Sequence, residues 1–245
     1  MVITTATHKG GTGKTTTAAT LAQAAAHKGK KVLCIDLDPQ GNLTFALDAQ
    51  PARLGAYSLF NGARAFDAIR ITSQKIDIMP ASPELATVTS GKGSARRIRH
   101  ALEPIRSNYD YIFIDTPATS GELQYNALMA ADGLIIPLLA DTYNVQTFYQ
   151  ITDTADAIRA GNPNIKTLGF ILNMHDPRSK IVKHMEKAIL ENAEALGVPY
   201  LGSVRASVVI REAAALQISL YDHAPKSKPA QDFMRIFETI DSNNH

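Results

Sequence analysis

The sequence of 245 residues contains a single cysteine, Cys34. One cysteine cannot form a disulfide within the chain, and it cannot supply the cluster of thiolates that zinc or iron–sulfur centres require. We therefore expect a reducing, cytoplasmic setting. Redox chemistry based on a cysteine-bound cluster is excluded.

Long hydrophobic runs and a strong charge of one sign are also missing. The longest strongly apolar run, residues 133–140, is far shorter than the roughly 20 residues of a membrane-spanning helix. The N-terminus lacks the basic and apolar regions of a signal peptide. The formal net charge of +2 does not indicate a nucleic-acid-binding protein, although it permits a local basic face.

What the sequence does contain is enough apolar surface for one core, since 45% of its residues are hydrophobic. We find no linker and no internal repeat, so the chain is interpreted as a single domain, residues 1–245. Residues 49–68 are interpreted as a loop with a short helix, and the polar tail, residues 241–245, is expected to fray.

Short apolar runs alternate with helical patterns along the chain. Continuous apolarity favours strands that are buried on both faces, as in a parallel sheet. The predicted strands are residues 2–7, 32–36, 76–79, 111–115, 133–138, 166–172 and 200–204, and the main predicted helices are residues 15–27, 95–106, 145–160 and 181–196. This alternation predicts an α/β fold of three layers, with a doubly wound, mostly parallel sheet flanked by helices.

A glycine-rich loop, HKGGTGKTT, lies between the first predicted strand and the first helix. Glycines allow backbone N–H groups to turn toward phosphates, and a helix N-terminus adds a positive dipole end. Lys14 can reach the β- and γ-phosphates, and the Thr15 hydroxyl can bind Mg²⁺. The loop departs from the usual template because Thr7 occupies the place of its first glycine. The predicted contact residues are Gly10, Gly11, Thr12, Gly13, Lys14, Thr15 and Thr16.

Acidic residues follow two of the predicted strands, where ligands bind in open parallel sheets. Asp115 ends the run YIFID, which suits a carboxylate near Mg²⁺. Asp36 and Asp38 begin DLDPQGN and can point to the same side. One can adjust the metal shell while the other orients a water molecule. The alternative role for this pair is to cap the turn that follows.

Three motifs together resemble the ParA/MinD group of P-loop ATPases with a deviant Walker A motif: KGGTGKTT, CIDLDPQGN and FIDTPATSGELQYNALMAADGLIIP. The resemblance is strongest to ParA-type partition ATPases and continues through ILNMHDPR and residues 204–230. It implies the P-loop NTPase fold, ATP and Mg²⁺ as cofactors, slow hydrolysis stimulated by a partner, and cycling between an ATP-bound homodimer and a monomer.

The resemblance also implies roles for individual residues. Lys9 corresponds to the signature lysine that reaches the partner subunit's ATP, and Asp38 to the aspartate that positions the hydrolytic water. Asp36 and Asp115 correspond to the outer Mg²⁺ shell, and Asn173 to a position that contacts adenine. Without the resemblance, Lys9 could equally be a solvated surface residue.

The resemblance to partition ATPases implies non-specific binding to DNA and a centromere-binding, ParB-like adaptor as partner, and DNA binding requires a basic face. The candidates are Arg178, Lys180, Lys183, Arg205 and Arg211, with Lys187 on the same helical stripe as Lys183. A second cluster, Arg96, Arg97 and Arg99, is interpreted as a solvated helix face. The chain starts at its first strand, so we expect no N-terminal helix-turn-helix and no operator-specific repression.

Other functions remain possible from sequence. MinD-like membrane binding requires a basic amphipathic helix at the C-terminus, whereas the last 16 residues carry three acidic residues and one arginine; we expect no membrane association. An ATPase that positions a cargo other than DNA remains open. A small-molecule enzyme of the dethiobiotin-synthetase type is a third alternative, which DLDPQGN and Lys9 disfavour.

Overall fold

The computed structural model describes residues 1–89, 96–140 and 144–244, and gives only the backbone for residues 144–148. Eight strands are described: β1 Val2–Thr5, β2 Val32–Asp36, β3 Arg70–Ile71, β4 Asp77–Met79, β5 Tyr111–Asp115, β6 Gly133–Leu139, β7 Lys166–His175 and β8 Tyr200–Arg205. The α-helices of these residues are α1 Lys14–His27, α2 Asn42–Ala46, α3 Ala56–Leu59, α4 Ala65–Ala68, α5 Arg97–Leu102, α6 Glu122–Ala130, α7 Asn144–Ile158, α8 Lys180–Ala195, α9 Val208–Ala215, α10 Leu220–His223 and α11 Lys228–Ser242.

The strands form one sheet in the order β3-β4-β2-β5-β1-β6-β7-β8. All neighbouring pairs are parallel except β3 and β4, which are antiparallel. The chain starts in the middle of the sheet and the strand order reverses on either side of β1, which defines a doubly wound topology. The predicted fold class is confirmed.

The side chains of β2 and β5 point alternately to the two faces of the sheet, and both faces are buried, which explains why these strand sequences are continuously apolar. Cys34 and Phe113 point into the core layer that contains α1 and α11. Leu33 and Ile112 point into the opposite layer, which contains α3 to α6. Because successive side chains of a strand face opposite sides, a strand between two helical layers needs apolar residues at every position.

The C-terminal helix α11 is part of this core. Its apolar face, including Phe233, Ile236 and Phe237, is buried. The expectation of a frayed tail was wrong for Asp241, because its Oδ1 accepts hydrogen bonds from the Lys30 Nζ at 2.9 Å and the Tyr111 hydroxyl at 2.6 Å. In the described part of the chain, no helix is both long and apolar enough to span a bilayer.

Other element boundaries also differ from the sequence expectations. Helix α5 ends at Leu102 rather than residue 106 because Pro104 has no backbone N–H with which to continue the helical hydrogen bonds. Strand β7 extends to His175 rather than residue 172. The region of residues 49–68 contains two single-turn helices, α3 and α4, instead of one. Residue 95, the predicted start of α5, lies outside the described residues.

We predict that Phe237→Ala lowers the free energy of unfolding by about 3–5 kcal/mol, the usual cost of removing a buried aromatic ring. Phe237 is 1% exposed, and its ring packs edge-on against the Tyr111 ring with 5.3 Å between the ring centroids. Urea unfolding of the nucleotide-free chain measures the change. Phe66→Ala is the control, because Phe66 is 58% exposed and its loss should cost less than about 1 kcal/mol. Equal losses for both variants would contradict the packing described for α11.

Candidate nucleotide site

The glycine-rich loop joins β1 to α1 at the carboxyl end of the central strand. Gly13 has a φ of +89°, and a Cβ there would lie 2.6 Å from the Asn173 Nδ2, so only glycine fits. Helix α1 begins directly afterwards, at Lys14, and Gly13 supplies no side-chain cap. The N–H groups of the first turn are thus directed at a position that suits an anion.

Lys14 lies against this loop and is only 7% exposed. Its Nζ donates a hydrogen bond to the Lys9 carbonyl oxygen at 3.1 Å. Burial lowers the pKa of Lys14, although the charges of Asp115 and Asp38 oppose the shift. A cavity of about 450 Å³ adjoins it, lined by the loop, Asp38 and the side of α1. An anion in this cavity would meet a poorly solvated cation, which strengthens their attraction.

Asp36 and Asp115 lie side by side beneath the loop, as partners in the parallel register of β2 and β5. Both are fully buried. Burial raises the pKa of each carboxyl group, and the negative charge of Asp36 raises the pKa of Asp115 further. The Asp115 Oδ2 accepts a hydrogen bond from the Thr15 hydroxyl at 2.6 Å. The site therefore concentrates negative charge that a cation would stabilise.

Asp36 also stabilises the segment that follows β2 through hydrogen bonds. Its Oδ2 accepts hydrogen bonds from the backbone N–H and the hydroxyl of Thr44, both at 2.7 Å. The Asp38 Oδ1 accepts one from the Gln40 N–H at 2.9 Å. Both aspartates thus make the turn contacts considered as an alternative from sequence. Asp38 nevertheless lines the cavity, so its predicted role with water stays a prediction, as does the metal role of Asp36.

These residues fit a magnesium nucleotide. Thr15 offers a hydroxyl ligand next to Asp115, which can hold metal-bound water, and the loop supplies N–H groups for phosphates. Within the described residues, no three His, Cys, Asp or Glu side chains gather into a metal site.

Asn173 braces the loop from the end of β7. Its Nδ2 donates to the Thr12 carbonyl at 2.8 Å and to the Thr17 hydroxyl at 3.1 Å. A second cavity of about 620 Å³ lies beside it, bordered by Met174, Arg205, Arg211 and Phe233. Because this cavity also borders Gly13 and Thr16, its position suits the base and ribose of a nucleotide whose phosphates occupy the loop. The predicted contact of Asn173 with adenine stays a prediction.

Two features of the site could not be read from sequence. Met174 has a φ of +53° and is 58% exposed, and nothing in its neighbours predicts a left-handed conformation at a non-glycine residue. Thr44, which holds Asp36, carries a weak signal, because a threonine near the start of a helix often makes local hydrogen bonds.

The predicted DNA-binding residues do not form one group. Arg178 is 90% exposed at the start of α8 and forms an ion pair with Asp176, and Lys180 and Lys183 are exposed on the same helix. Arg205, by contrast, binds the buried carboxylate of Asp232 at 2.6 Å. Arg211 is exposed on α9 but borders the second cavity. Of these candidates, only the α8 residues form a basic surface away from the nucleotide cavities.

The arginines of α5 are structural rather than simply solvated. Arg96 donates to the Gly161 carbonyl at 3.3 Å, Arg97 donates to the Phe60 carbonyl, and Arg99 donates to the Asn162 Oδ1 at 3.5 Å. These contacts tie α5 to its neighbours.

Comparison with known proteins agrees with this geometry. Residues 1–167 match the family described as an AAA domain. The chain is 32% identical, over 97% of its length and 94% of the other, to the chromosome-partitioning ATPase Soj of Thermus thermophilus. It belongs to the ParA/MinD family of P-loop ATPases.

Solved structures add the ligands of this family. Cobyrinic acid a,c-diamide synthase from Mycobacterium smegmatis, with bound ATP analog and magnesium, matches with a TM-score of 0.83 at 27% identity, covering 97% of this chain and 92% of that one. The septum site-determining protein MinD of Pyrococcus horikoshii, complexed with Mg-ADP, matches with a TM-score of 0.80 at 26% identity, covering 99% and 96%. The present ParA/MinD protein is an ATPase that uses ATP and Mg²⁺.

We predict that Asp115→Asn stabilises the nucleotide-free protein and weakens Mg-ATP binding by about tenfold or more. Asparagine can still accept the Thr15 hydrogen bond, but it removes one of two adjacent buried charges. ATP affinity without Mg²⁺ is the control and should change little. Calorimetry in both conditions measures the effect, and an equal loss in both would contradict a role at the metal.

The same charges predict a pH dependence. Because the folded pKa of Asp115 is raised above its usual 3.8, the folded state binds the proton more tightly than the unfolded state. Stability of the metal-free protein should therefore fall as pH rises above about 4, by at most ~1.4 kcal/mol per pH unit for one proton. Asp115→Asn should flatten this decline in denaturant unfolding between pH 5 and about 8; an unchanged slope would show that the charge is not the cause.

Proposed function

We propose that this ATPase is a ParA-like partition protein. It dimerises around two ATP molecules, binds DNA without reading sequence, and segregates or positions a plasmid, chromosome or mobile element with a ParB-like adaptor. In this proposal it associates with the nucleoid in its ATP-bound form. The observation that carries it is the presence of two lysines on one phosphate loop, of which Lys14 lines the adjoining cavity and Lys9 does not.

Lys9 supports the dimer. It is half-buried at the start of the loop, and its carbonyl oxygen is the acceptor for Lys14. Two ATP molecules facing each other bring together roughly eight negative charges, and cations contributed by each subunit would offset that repulsion. Dimerisation would then depend on ATP, because the charges that Lys9 offsets come together only when both subunits carry the nucleotide.

Asp38 supports hydrolysis in the same site. Its carboxylate lines the cavity beside Lys14 and follows β2 by two residues. In the proposed mechanism Mg²⁺ supplies charge neutralisation at the phosphates, Lys14 stabilises the γ-phosphate, and Asp38 orients the attacking water. Closure of the second subunit would exclude bulk water from the reaction.

Helix α8 supports DNA binding. Ile189 and Ala193 are its buried residues, while Lys180 and Lys183 are exposed. Such a stripe suits contacts with phosphates, which give affinity without sequence preference. By contrast, the apolar face of α11 is already buried in the core, so it is not available for a membrane surface.

The relatives also favour partition over small-molecule chemistry. The Thermus thermophilus Soj protein, at 32% identity, is named as a chromosome-partitioning ATPase, whereas the neighbour named as an amide-forming synthase is 27% identical. A cargo other than DNA would use the same ATPase cycle. It would be indicated by ATP-dependent dimerisation without any DNA binding.

We predict that Lys9→Ala retains ATP binding within about threefold, because Lys14 and the loop remain, but loses ATP-dependent dimerisation. Light scattering at increasing ATP measures the dimer, and calorimetry measures the affinity. Lys166→Ala is the control, since Lys166 is exposed at the start of β7, at the far end of the strand from the loop. A Lys9→Ala protein that dimerises normally would refute the role of Lys9 across the interface.

We predict that Lys183→Ala weakens binding to random-sequence DNA in ATP and lowers the slope of log K against log salt by about 1. Lys187→Ala is the matched control on the same helix, because the Lys187 Nζ already lies 3.7 Å from a Glu191 oxygen, so its removal should have a smaller effect. Equal salt slopes for the wild type and both variants would remove α8 from the DNA-binding surface.

A further inference from the structure

A third cavity, of about 500 Å³, lies beside the phosphate loop but outside the two nucleotide cavities. We call it the His8 cavity. It is formed between the loop that follows β5, the start of α6, and α7. Its polar lining residues are His8, Ser120, Glu122, Gln124, Tyr125 and Thr154.

One wall of the His8 cavity is a chain of hydrogen bonds with a defined direction. The Thr154 hydroxyl donates to the Gln150 carbonyl at 2.8 Å, so its oxygen must accept from the His8 Nε2 at 3.0 Å. The His8 Nδ1 is then the acceptor for the Ser120 hydroxyl at 2.6 Å. Burial lowers the pKa of His8, in agreement with the neutral ring that this chain requires.

This chain of hydrogen bonds joins the phosphate loop, the loop that follows β5, and α7. His8 immediately precedes Lys9, Ser120 lies five residues after Asp115, and Thr154 belongs to α7. The hydroxyl proton of Ser120 is used by His8, so its remaining lone pairs can only accept further hydrogen bonds. This wall therefore presents hydrogen-bond acceptors to the cavity.

Among the described residues, the lining of the His8 cavity also includes a side-chain donor without a hydrogen-bond partner. Gln124 is 2% exposed, and its Nε2 makes no hydrogen bond in the described part of the chain. A buried donor left unpaired is costly, and such groups in folded proteins are uncommon. The terminal amide torsion of glutamine is soft, so rotation can present this donor to the cavity without moving the backbone.

We propose that the His8 cavity receives a polar segment of the second subunit when the ATP-bound dimer closes, and that an oxygen of this segment accepts a hydrogen bond from the Gln124 amide. The inference rests on the proposed function. A second copy is the occupant indicated here because His8 and Lys9 are adjacent, so any surface that Lys9 contacts is brought to the mouth of this cavity.

The lining explains why a peptide segment fits. Gln124 offers a donor, Ser120 offers an acceptor, and Tyr125 and Leu128 provide apolar contact. A peptide group carries both an acceptor and a donor, so it can accept a hydrogen bond from Gln124 and donate one to Ser120. Through Ser120, the same hydrogen bonds would couple dimer closure to the position of His8 and of the loop after β5.

The test is Gln124→Met, which keeps the length of the side chain and removes only its polar end. Because the Gln124 Nε2 has no partner among the described residues of the free chain, the variant should unfold at the same or a higher temperature than the wild type. Its ATP-dependent dimer should nevertheless be about 5–30-fold weaker, as expected for losing one hydrogen bond in each half of a symmetric dimer. ATP affinity of the monomer should be unchanged.

Thr72→Val is the matched control, since the Thr72 Oγ1 is another buried atom to which the described residues offer no hydrogen bond. It lies after β3 at the sheet edge, far from this cavity in the strand order. This variant should not affect the dimer. A wild type that fails to dimerise in ATP would reject the proposed function itself. A wild type and a Gln124→Met variant that dimerise equally would reject this inference alone, and so would a variant altered only in its response to an added partner protein.

Discussion

The site depends on the placement of two buried carboxylates at neighbouring positions of the central sheet. The parallel register of β2 and β5 sets Asp36 beside Asp115, and both are removed from water. Such a pair is unfavourable without a compensating cation. The surrounding groups follow from this constraint: Thr15 and Thr44 donate to the carboxylates, and Lys14 lies across the cavity. Mg²⁺, bound together with the nucleotide, would supply the positive charge that these two carboxylates need.

Asp36, the last residue of β2, and Asp38, two residues later, combine structural hydrogen bonds with a place at the nucleotide site. Asp36 holds the first turn of α2 through Thr44, and Thr44 in turn accepts a hydrogen bond from the Ala81 N–H at 2.9 Å. Asp38 remains on the cavity wall. These hydrogen bonds connect Asp36 to α2 and to the segment near Ala81.

The fold and the phosphate loop were predictable from sequence because their signals are local. Strands buried on both faces give continuous apolar runs, and the loop needs glycine where φ is positive, as at Gly13. The short antiparallel strand β3 was missed because two residues carry no periodicity. The second cavity and the pairing of Arg205 with Asp232 were missed because they depend on segments far apart in the chain. The left-handed conformation of Met174 was missed because it is uncommon for a residue other than glycine. Sequence placed Arg205 on a DNA surface; the structure gives it a buried carboxylate to bind.

The proposed function requires that ATP converts this chain into a dimer that binds DNA regardless of sequence. Analytical ultracentrifugation of the wild-type protein with Mg-ATP, with Mg-ADP and without nucleotide, each with and without a labelled random-sequence duplex, tests it most directly. We expect a dimer that sediments with the duplex in Mg-ATP only. A monomer in all three conditions, or equal binding to DNA in ATP and ADP, would contradict the claim.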